Sequence, residues 1–397
     1  MTPLDEPTVT YLLGSLESDV RPREPFDDIV CEFLAEFSTR LRSAKDAMAH
    51  NDLAALSFWC WRAHIRQLKE QFENGETRLG LGQVFHVAPS NVPVNFFYSY
   101  VFGLLAGNAN VVRLPSRESA QESIIFSVLD ELLSEEKYAA LRPLSTFVRY
   151  PHDSTLTNEF SKDCDARIIW GGDDTIAEIR RSPVPVRAAE IAFADRYSFC
   201  VMTEDAVREL DEQALSQLTA GFFNDSYLMD QNACSSPHLV IWLGGMGEGA
   251  ERFWKALQGT VEHKYDLPPV HAVSKYTELL SAIVTMDTLA SVKRLGNAVY
   301  RIGLSRLPAD IDSHRGHFGT FFEYAAADLG ELAPIVNNKY QTLTYFGVDK
   351  SKLTEFVVAN RLTGIDRIVP VGSALDIDVN WDGINVLQSL SRLVKVQ

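Results

Sequence analysis

Apolar residues recur every three or four positions through the first 80 residues. Ile29, Phe33, Phe37 and Leu41 are four apart, and Leu53, Leu56, Trp59 and Ala63 continue the period after Asn51. This spacing predicts helices over 27–50 and 51–72, each buried along one side. Phe58, Trp59 and Trp61 then read as packing residues. The three glycines within 74–82 predict a turn region.

From Val84 the period changes. Short apolar runs predict strands at 84–88, 110–114, 146–150, 166–170 and around 199–201, separated by helices at 96–107, 118–133 and 176–181. The stretch FFYSYVFGLLAG (96–107) is apolar nearly all round, which predicts a helix buried between layers. Past residue 205 the alternation restarts. Helices are expected at 204–218, 248–264, 276–285 and 350–362, with a closing helix over 383–393. Strands are expected at 239–243, 292–295, 300–302, 341–347 and 368–371, and a polar loop over 310–320. Such alternation builds βαβ units around a mainly parallel sheet. The expected organisation is a helical N-terminal region (1–80), an α/β domain (81–205) and a second α/β domain (206–397).

Composition narrows the class. The 397 residues are 46% hydrophobic and carry 22 Phe, 13 Tyr and 6 Trp, too apolar for a disordered chain. Lys and Arg number 37 against 53 Asp and Glu, a net charge of −16 that argues against nucleic acid and anionic membranes as partners. A local Arg still suffices for an anionic ligand. The five cysteines are odd in number and form no CxxC pair, so neither a disulfide framework nor a zinc ribbon is expected. The histidines share no metal-ligand spacing, and no structural metal is expected. No signal peptide and no 18-residue apolar run is evident, so no integral membrane segment is expected and a cytoplasmic location is.

Four stretches could carry chemistry. Cys234 lies in NDSYLMDQNACSSPH, where a polar stretch suits a turn whose backbone N–H groups lower a thiol pKa. His238, four residues on, could polarise that thiol, cap a helix or face solvent. Cys31, Cys60 and Cys200 read as core, and Cys164 is flanked by acids that disfavour a thiolate. Asn91, in Pro89–Pro93, follows a strand at the end where α/β sheets bind ligands; its amide could donate to an oxyanion or merely shape a turn. Arg113 closes the strand NVVRL, where it could hold a phosphate or ribose. Gly171 and Gly172 form a strand-to-helix turn whose N–H groups could cradle a pyrophosphate, although Asp173 and Asp174 follow at once.

Together, APSNVPVNFFYSYVFGLLAGNANVVRLPS (88–116), IIWGGDDTI (168–176), ADRYSF (194–199), DQNACSSPH (230–238), DRIVPVGSALD (366–376) and WDG (381–383) resemble the aldehyde dehydrogenase superfamily. The likeness is greatest to its acyl-CoA reductase branch, the fatty-acid reductases of bacterial bioluminescence systems and their non-luminous relatives. The resemblance runs from about residue 84 to the C-terminus. It implies an aldehyde-dehydrogenase-like α/β fold, with a Rossmann-type cofactor domain and an α/β catalytic domain behind the helical N-terminal region. It makes Cys234 the nucleophile, Asn91 the oxyanion donor, Arg113 the counterpart of a ribose-contacting Lys, and Glu331 (GELAPI) the match for the nicotinamide-side ribose glutamate.

Two departures matter. The Glu-Leu-Gly-Gly segment that carries a general-base Glu is absent; FADRYSF stands there, with Glu190 the nearest acid upstream. The cofactor turn is rewritten as GGDD. Hydrolysing an acyl-cysteine needs a base to activate water, whereas reducing it does not. The expected activity is therefore reduction of an acyl-CoA, or another acyl thioester, to the aldehyde through an acyl-cysteine, with Glu190 or His238 assisting deprotonation. Oxidation of a free aldehyde is the alternative enzyme, and an inactive relative serving as a complex subunit is the alternative non-enzyme. NADPH is expected over NADH, because Ser116 and Arg117 stand where NAD-dependent members place a glutamate. The expected partners are an acyl-CoA or acyl-carrier donor, an acyl-activating enzyme, and further copies of the chain in a dimer or tetramer.

Overall fold

The computed structural model describes residues 9–16, 20–152 and 154–396. The chain forms two compact units, Met1–Ala194 together with Ile384–Gln397, and Asp195–Gly383. The division falls at 194/195 rather than 205. The strand Tyr197–Thr203 is the reason, since both strands it pairs with belong to the second unit. The helical N-terminal region is not a separate body but part of the first unit.

The first unit contains β1 (Thr10–Leu13), β2 (Thr77–Gly80), β3 (Gln83–Val87), β4 (Ala109–Arg113), β5 (Ser145–Arg149), β6 (Ala166–Trp170) and β7 (Ala189–Phe193). Its main sheet runs β1-β5-β4-β3-β6-β7, parallel except for the edge strand β1. The five parallel strands thus have the doubly wound order 3-2-1-4-5, which reverses between β3 and β6. Val84, Phe85, His86 and Val87 are all buried, the continuous run expected of a strand covered on both faces.

Helix Asn95–Leu105 is buried at every position, as its all-round apolarity predicts. Phe37 of helix Asp28–Ser43 stacks on Phe97 at 4.3 Å, and Trp59 meets Tyr98 and Phe102 edge-on. The aromatics of 96–102 are therefore core packing. Gly107 turns this helix into β4 with φ +86°, and a Cβ there would lie 2.2 Å from Arg23 O. Buried His86 ties the layers together: its ring nitrogens meet Ser99 Oγ at 2.8 Å and Asn110 Oδ1 at 3.0 Å, while Trp170 Nε1 donates to Ser99. Burial lowers its pKa to about 4, so the ring is neutral.

Several expectations change at long range. The helix expected over 51–72 breaks at Cys60–Trp61 into Asn51–Trp59 and Arg62–Phe72. The closing helix over 383–393 is reduced to the single turn Val386–Ser389. Ser391–Val394 is instead a strand, antiparallel to β2, which lies inside the expected turn region. Each of these two strands exists because the other supplies its hydrogen bonds, a pairing that local periodicity does not carry.

The second unit contains β8 (Tyr197–Thr203), β9 (Pro237–Leu243), β10 (Leu289–Leu295), β11 (Val299–Leu304), β12 (Thr320–Ala326), β13 (Tyr340–Phe346) and β14 (Arg367–Pro370). The sheet order is β10-β11-β12-β9-β8-β13-β14, parallel except for β10. Alternate residues of β8 face different cores. Phe199 and Val201 join Leu239, Ile241, Leu353 and Phe356, while Cys200 and Met202 join Phe222, Trp242, Phe253 and Trp254. Among the described residues, no helix is long and apolar enough to cross a membrane.

Candidate active site

Cys234 lies in the turn between helix Glu212–Tyr227 and β9. Two consecutive non-glycine residues, Asp230 and Gln231, adopt left-handed backbone there, with φ of 53° and 64°. Each such residue costs about 1–2 kcal/mol. The Gln231 side chain offsets that strain. Its Nε2 donates to Pro237 O (2.9 Å) and Thr320 O (3.0 Å), and its Oε1 accepts from the N–H of Gly319 (3.0 Å) and Thr320 (3.2 Å). Tyr265 donates its hydroxyl to Asp230, and Ser236 Oγ donates to Asp225 O at 2.8 Å.

The turn presents a partly exposed Cys234 between buried Ala233 and Ser235. Ser198 Oγ donates to Cys234 O at 2.7 Å and accepts from Thr342 N at 3.1 Å. The nucleophile candidate thus sits at the amino ends of β8, β9 and β13, opposite to the carboxyl ends where α/β sheets usually bind ligands.

The sulfur of Cys234 is an acceptor: Gln341 Nε2 donates to Sγ at 3.4 Å, and the same nitrogen donates to Asp382 Oδ1. Arg196 completes the group. It pairs with Asp366 and stands 3.9 Å from Asp382. Burial, followed by the Asp382 charge, pushes the Cys234 thiol up to about 11, while Gln341, Arg196 and the residue's own N–H pull it down. Burial also raises Asp382 above the usual carboxylate range against the pull of Arg196. Cys31 and Cys164 differ in kind, since their thiols donate to Phe26 O and Ser161 O. Cys60 and Cys200 are fully buried.

The other expected site residues fall in several places. His238 does not meet Cys234: its Nδ1 donates to Gly316 O at 2.9 Å and its ring stacks on Tyr197. Burial, helped by Arg315, lowers its pKa to about 3, so it is a neutral core histidine. Glu190 lies in β7 of the first unit with both oxygens engaged, Oε1 by Arg180 Nε (2.7 Å) and Oε2 by Arg167 Nε (3.0 Å). Burial alone would raise its pKa, but the Arg180 and Arg167 hydrogen bonds win and lower it.

Glu331 accepts from Ala327 N at 2.9 Å and from the Tyr324 hydroxyl at 3.2 Å, just beyond the carboxyl end of β12. Cys234 lies at the other end of the same sheet, about 20 Å away for a seven-residue strand. The second unit therefore does not bring Glu331 to Cys234.

Asn91 is exposed in the loop after β3, beside the point where the first unit's strand order reverses. Arg113 ends β4 with its guanidinium 4.7 Å over the Tyr150 ring and a buried Nε that has no hydrogen-bond partner among the described residues. Ser116 and Arg117 are exposed just beyond. Ser116 does not cap the following helix, because Ser119 Oγ accepts from Glu122 N at 3.1 Å. Gly171 and Gly172 lie between β6 and helix Asp173–Ile179, which opens on two acids. A Cβ at Gly172 would meet nothing within 4 Å. The orphaned Nε of Arg113 therefore fits the adenosine side of a dinucleotide better than the open glycine turn fits its pyrophosphate. Among the described residues, no group of three His, Cys, Asp or Glu is placed to hold a metal.

Sequence reasoning assigned no role to Gln341, Asp382 or Arg196. Asp382 and Arg196 lie in the quoted WDG and ADRYSF stretches, but nothing local joins them to Cys234.

A family model described as acyl-CoA reductase (LuxC) matches residues 61–393. The long-chain acyl-protein thioester reductase of Vibrio harveyi is 28% identical over 167 residues, which are 41% of this chain and 32% of that protein's length. Among solved structures, a putative methylmalonate-semialdehyde dehydrogenase from Sinorhizobium meliloti shares 15% identity at a TM-score of 0.63, covering 92% of this chain and 84% of that one. A 1-pyrroline-5-carboxylate dehydrogenase from Thermus thermophilus shares 14% at 0.61, with 92% and 80% covered. Aldehyde dehydrogenase 21 from Physcomitrella patens shares 14% at 0.62, with 92% and 84% covered. These likenesses establish an aldehyde-dehydrogenase-like fold with a Rossmann-type nucleotide-binding region.

Proposed function

From the premise that this chain belongs to the acyl-CoA reductase (LuxC) family, we propose that it reduces an acyl thioester to the aldehyde, with NADPH as reductant and Cys234 as the acyl carrier. The observation that carries this reading is the company Cys234 keeps. Its sulfur accepts from an amide, and among the described residues no carboxylate or imidazole hydrogen-bonds it. Glu190, the nearest acid upstream of the FADRYSF segment that stands in place of the base, is committed to two arginines. That arrangement suits thiol exchange and suits water activation poorly.

In the first step the Cys234 thiolate attacks the thioester carbonyl, and the CoA or carrier thiolate leaves. The oxyanion of each tetrahedral species takes its donors from the Cys234 N–H and the Asn91 amide. Bound NADPH supplies the hydride that reduces the acyl group. The resulting thiohemiacetal loses its hydroxyl proton, expels Cys234 and releases the aldehyde. The balance is one acyl thioester, one NADPH and one proton in, and one aldehyde, one free thiol and one NADP out.

Arg113, Ser116 and Arg117 hold the adenosine end of the cofactor in this reading, and Gly171 and Gly172 lie along its pyrophosphate. The name of the Vibrio harveyi relative supports a thioester carried on protein, beside the CoA thioester in the family's description. The exposed apolar residues of helix Pro269–Thr285, among them Val270, Val273, Leu280 and Val284, suit a homo-oligomer.

The test is a substrate comparison. NADPH oxidation that depends on added acyl-CoA, with aldehyde formed one to one, is expected. CoA-independent conversion of free aldehyde to acid at a higher kcat/KM would replace this reading with aldehyde oxidation.

A further inference from the structure

Gln341 is the second residue of β13 and is 1% exposed. Its side-chain nitrogen carries two hydrogens, and both are spoken for, one by Asp382 Oδ1 and the other by Cys234 Sγ at 3.4 Å. Its Oε1 accepts from Thr342 Oγ1 at 3.3 Å. An ionised carboxylate only accepts hydrogen bonds, so Asp382 dictates which end of the amide faces the sulfur. Asp382 is itself held in place. It has left-handed backbone (φ 50°), its side chain is 4% exposed, and Arg196 stands beside it.

We propose that Gln341 is a further catalytic residue, and that Asp382 is the residue that positions it. The N–H donated by Gln341 stabilises the Cys234 thiolate when it forms for attack and again when the thiohemiacetal expels it. This rests on reading Cys234 as the nucleophile. No proton crosses the amide; it only favours the charged sulfur, as a hydrogen bond to an anion does.

Asp382 acts on the thiol in two opposed ways. Its charge repels a thiolate, and its hold on Gln341 supplies the donor that favours one. The charged groups facing the pair are Arg196 and Arg367, which favour the thiolate, and Asp366, which is paired with Arg196. The two actions of Asp382 separate in a double-substitution cycle.

The experiment follows alkylation of Cys234 by iodoacetamide from pH 7 to 10, read at the peptide by mass spectrometry so that the other four cysteines do not contribute. Circular dichroism checks the fold of each variant. Gln341→Met keeps the volume and loses the donor. It is expected to cut the rate at a fixed pH about tenfold, an upward shift of about one pH unit. Gln341→Glu is the isosteric second variant; it cannot donate when ionised and is expected to slow the reaction at least as much. In the Gln341→Met background, Asp382→Asn removes only a repelling charge and is expected to speed alkylation. With Gln341 present, the same change also frees the amide, so it is expected to speed alkylation at least threefold less, or to slow it. Unchanged rates in both Gln341 variants would overturn the role of Gln341. Equal effects of Asp382→Asn in the two backgrounds would overturn the positioning role. Neither outcome touches whether acyl-CoA acylates Cys234 in the unaltered protein, which tests the parent reading by itself.

Discussion

Gln231 and Thr320 are joined in both directions: Gln231 Nε2 donates to Thr320 O at 3.0 Å, and Thr320 N donates to Gln231 Oε1 at 3.2 Å. The pair fastens the turn that carries Cys234 to the first residue of β12, and it holds two left-handed residues in place. Gln231→Leu leaves the backbone groups of Pro237, Gly319 and Thr320 buried without these partners. The expected cost is about 3 kcal/mol, read as a lower urea midpoint with an unchanged slope. A loss below about 0.5 kcal/mol would mean that the turn holds its shape without the side chain.

Glu190 is expected to matter for stability and not for proton transfer. Arg167 is 2% exposed on its side chain, so Glu190→Gln leaves a buried guanidinium with a neutral partner. The expected loss is about 2–3 kcal/mol. The sign of the pH dependence follows from the depressed pKa of Glu190. Its contribution is present above the unfolded-state carboxylate pKa near 4.3 and is lost as pH falls through the folded value. Stability curves of wild type and Glu190→Gln are therefore expected to converge in acid. Turnover abolished with stability intact would identify Glu190 as a base instead.

Asn91→Ala is expected to lower kcat about a hundredfold while leaving acyl-CoA binding within a few-fold, the signature of a lost oxyanion donor. Steady-state kinetics with titrated acyl-CoA reads both. A raised KM at unchanged kcat would return Asn91 to the role of a turn residue.

Cofactor preference is expected to rest on Ser116 and Arg117. Since Ser119 is the helix cap, Ser116 can be replaced without uncapping the helix. Ser116→Glu sets a carboxylate where a 2′-phosphate would lie, and is expected to cut kcat/KM for NADPH by roughly ten- to a hundredfold and to spare NADH. A variant as active with NADPH as wild type would place the phosphate elsewhere.

What was legible in the chain is what is local. The run VFHVA, buried on both faces, and the all-round apolar helix 96–107 announced a parallel sheet with covered faces. The polar DQNA stretch before Cys234 announced a turn. The rest depends on partners far apart in sequence. Gln341 lies inside QTLTYFG, where a polar residue at the start of a strand draws no notice, yet it meets Cys234 across 107 positions and Asp382 across 41. His238 misleads in the opposite way. Four residues from Cys234, it looks like a neighbour, but the chain has entered β9 by then and the ring turns to Gly316. Ser391–Leu393 read as helix because the β2 strand that completes their own strand lies more than 300 residues away.

The central claim is that Cys234 carries the acyl group. The direct measurement adds acyl-CoA to the protein without reduced cofactor and maps the adduct by intact-mass and peptide mass spectrometry. One acyl group on the peptide containing Cys234, absent in Cys234→Ser and discharged as aldehyde when NADPH is added, is the predicted result. An adduct on Cys60 or Cys200, or turnover that survives Cys234→Ser, would contradict it.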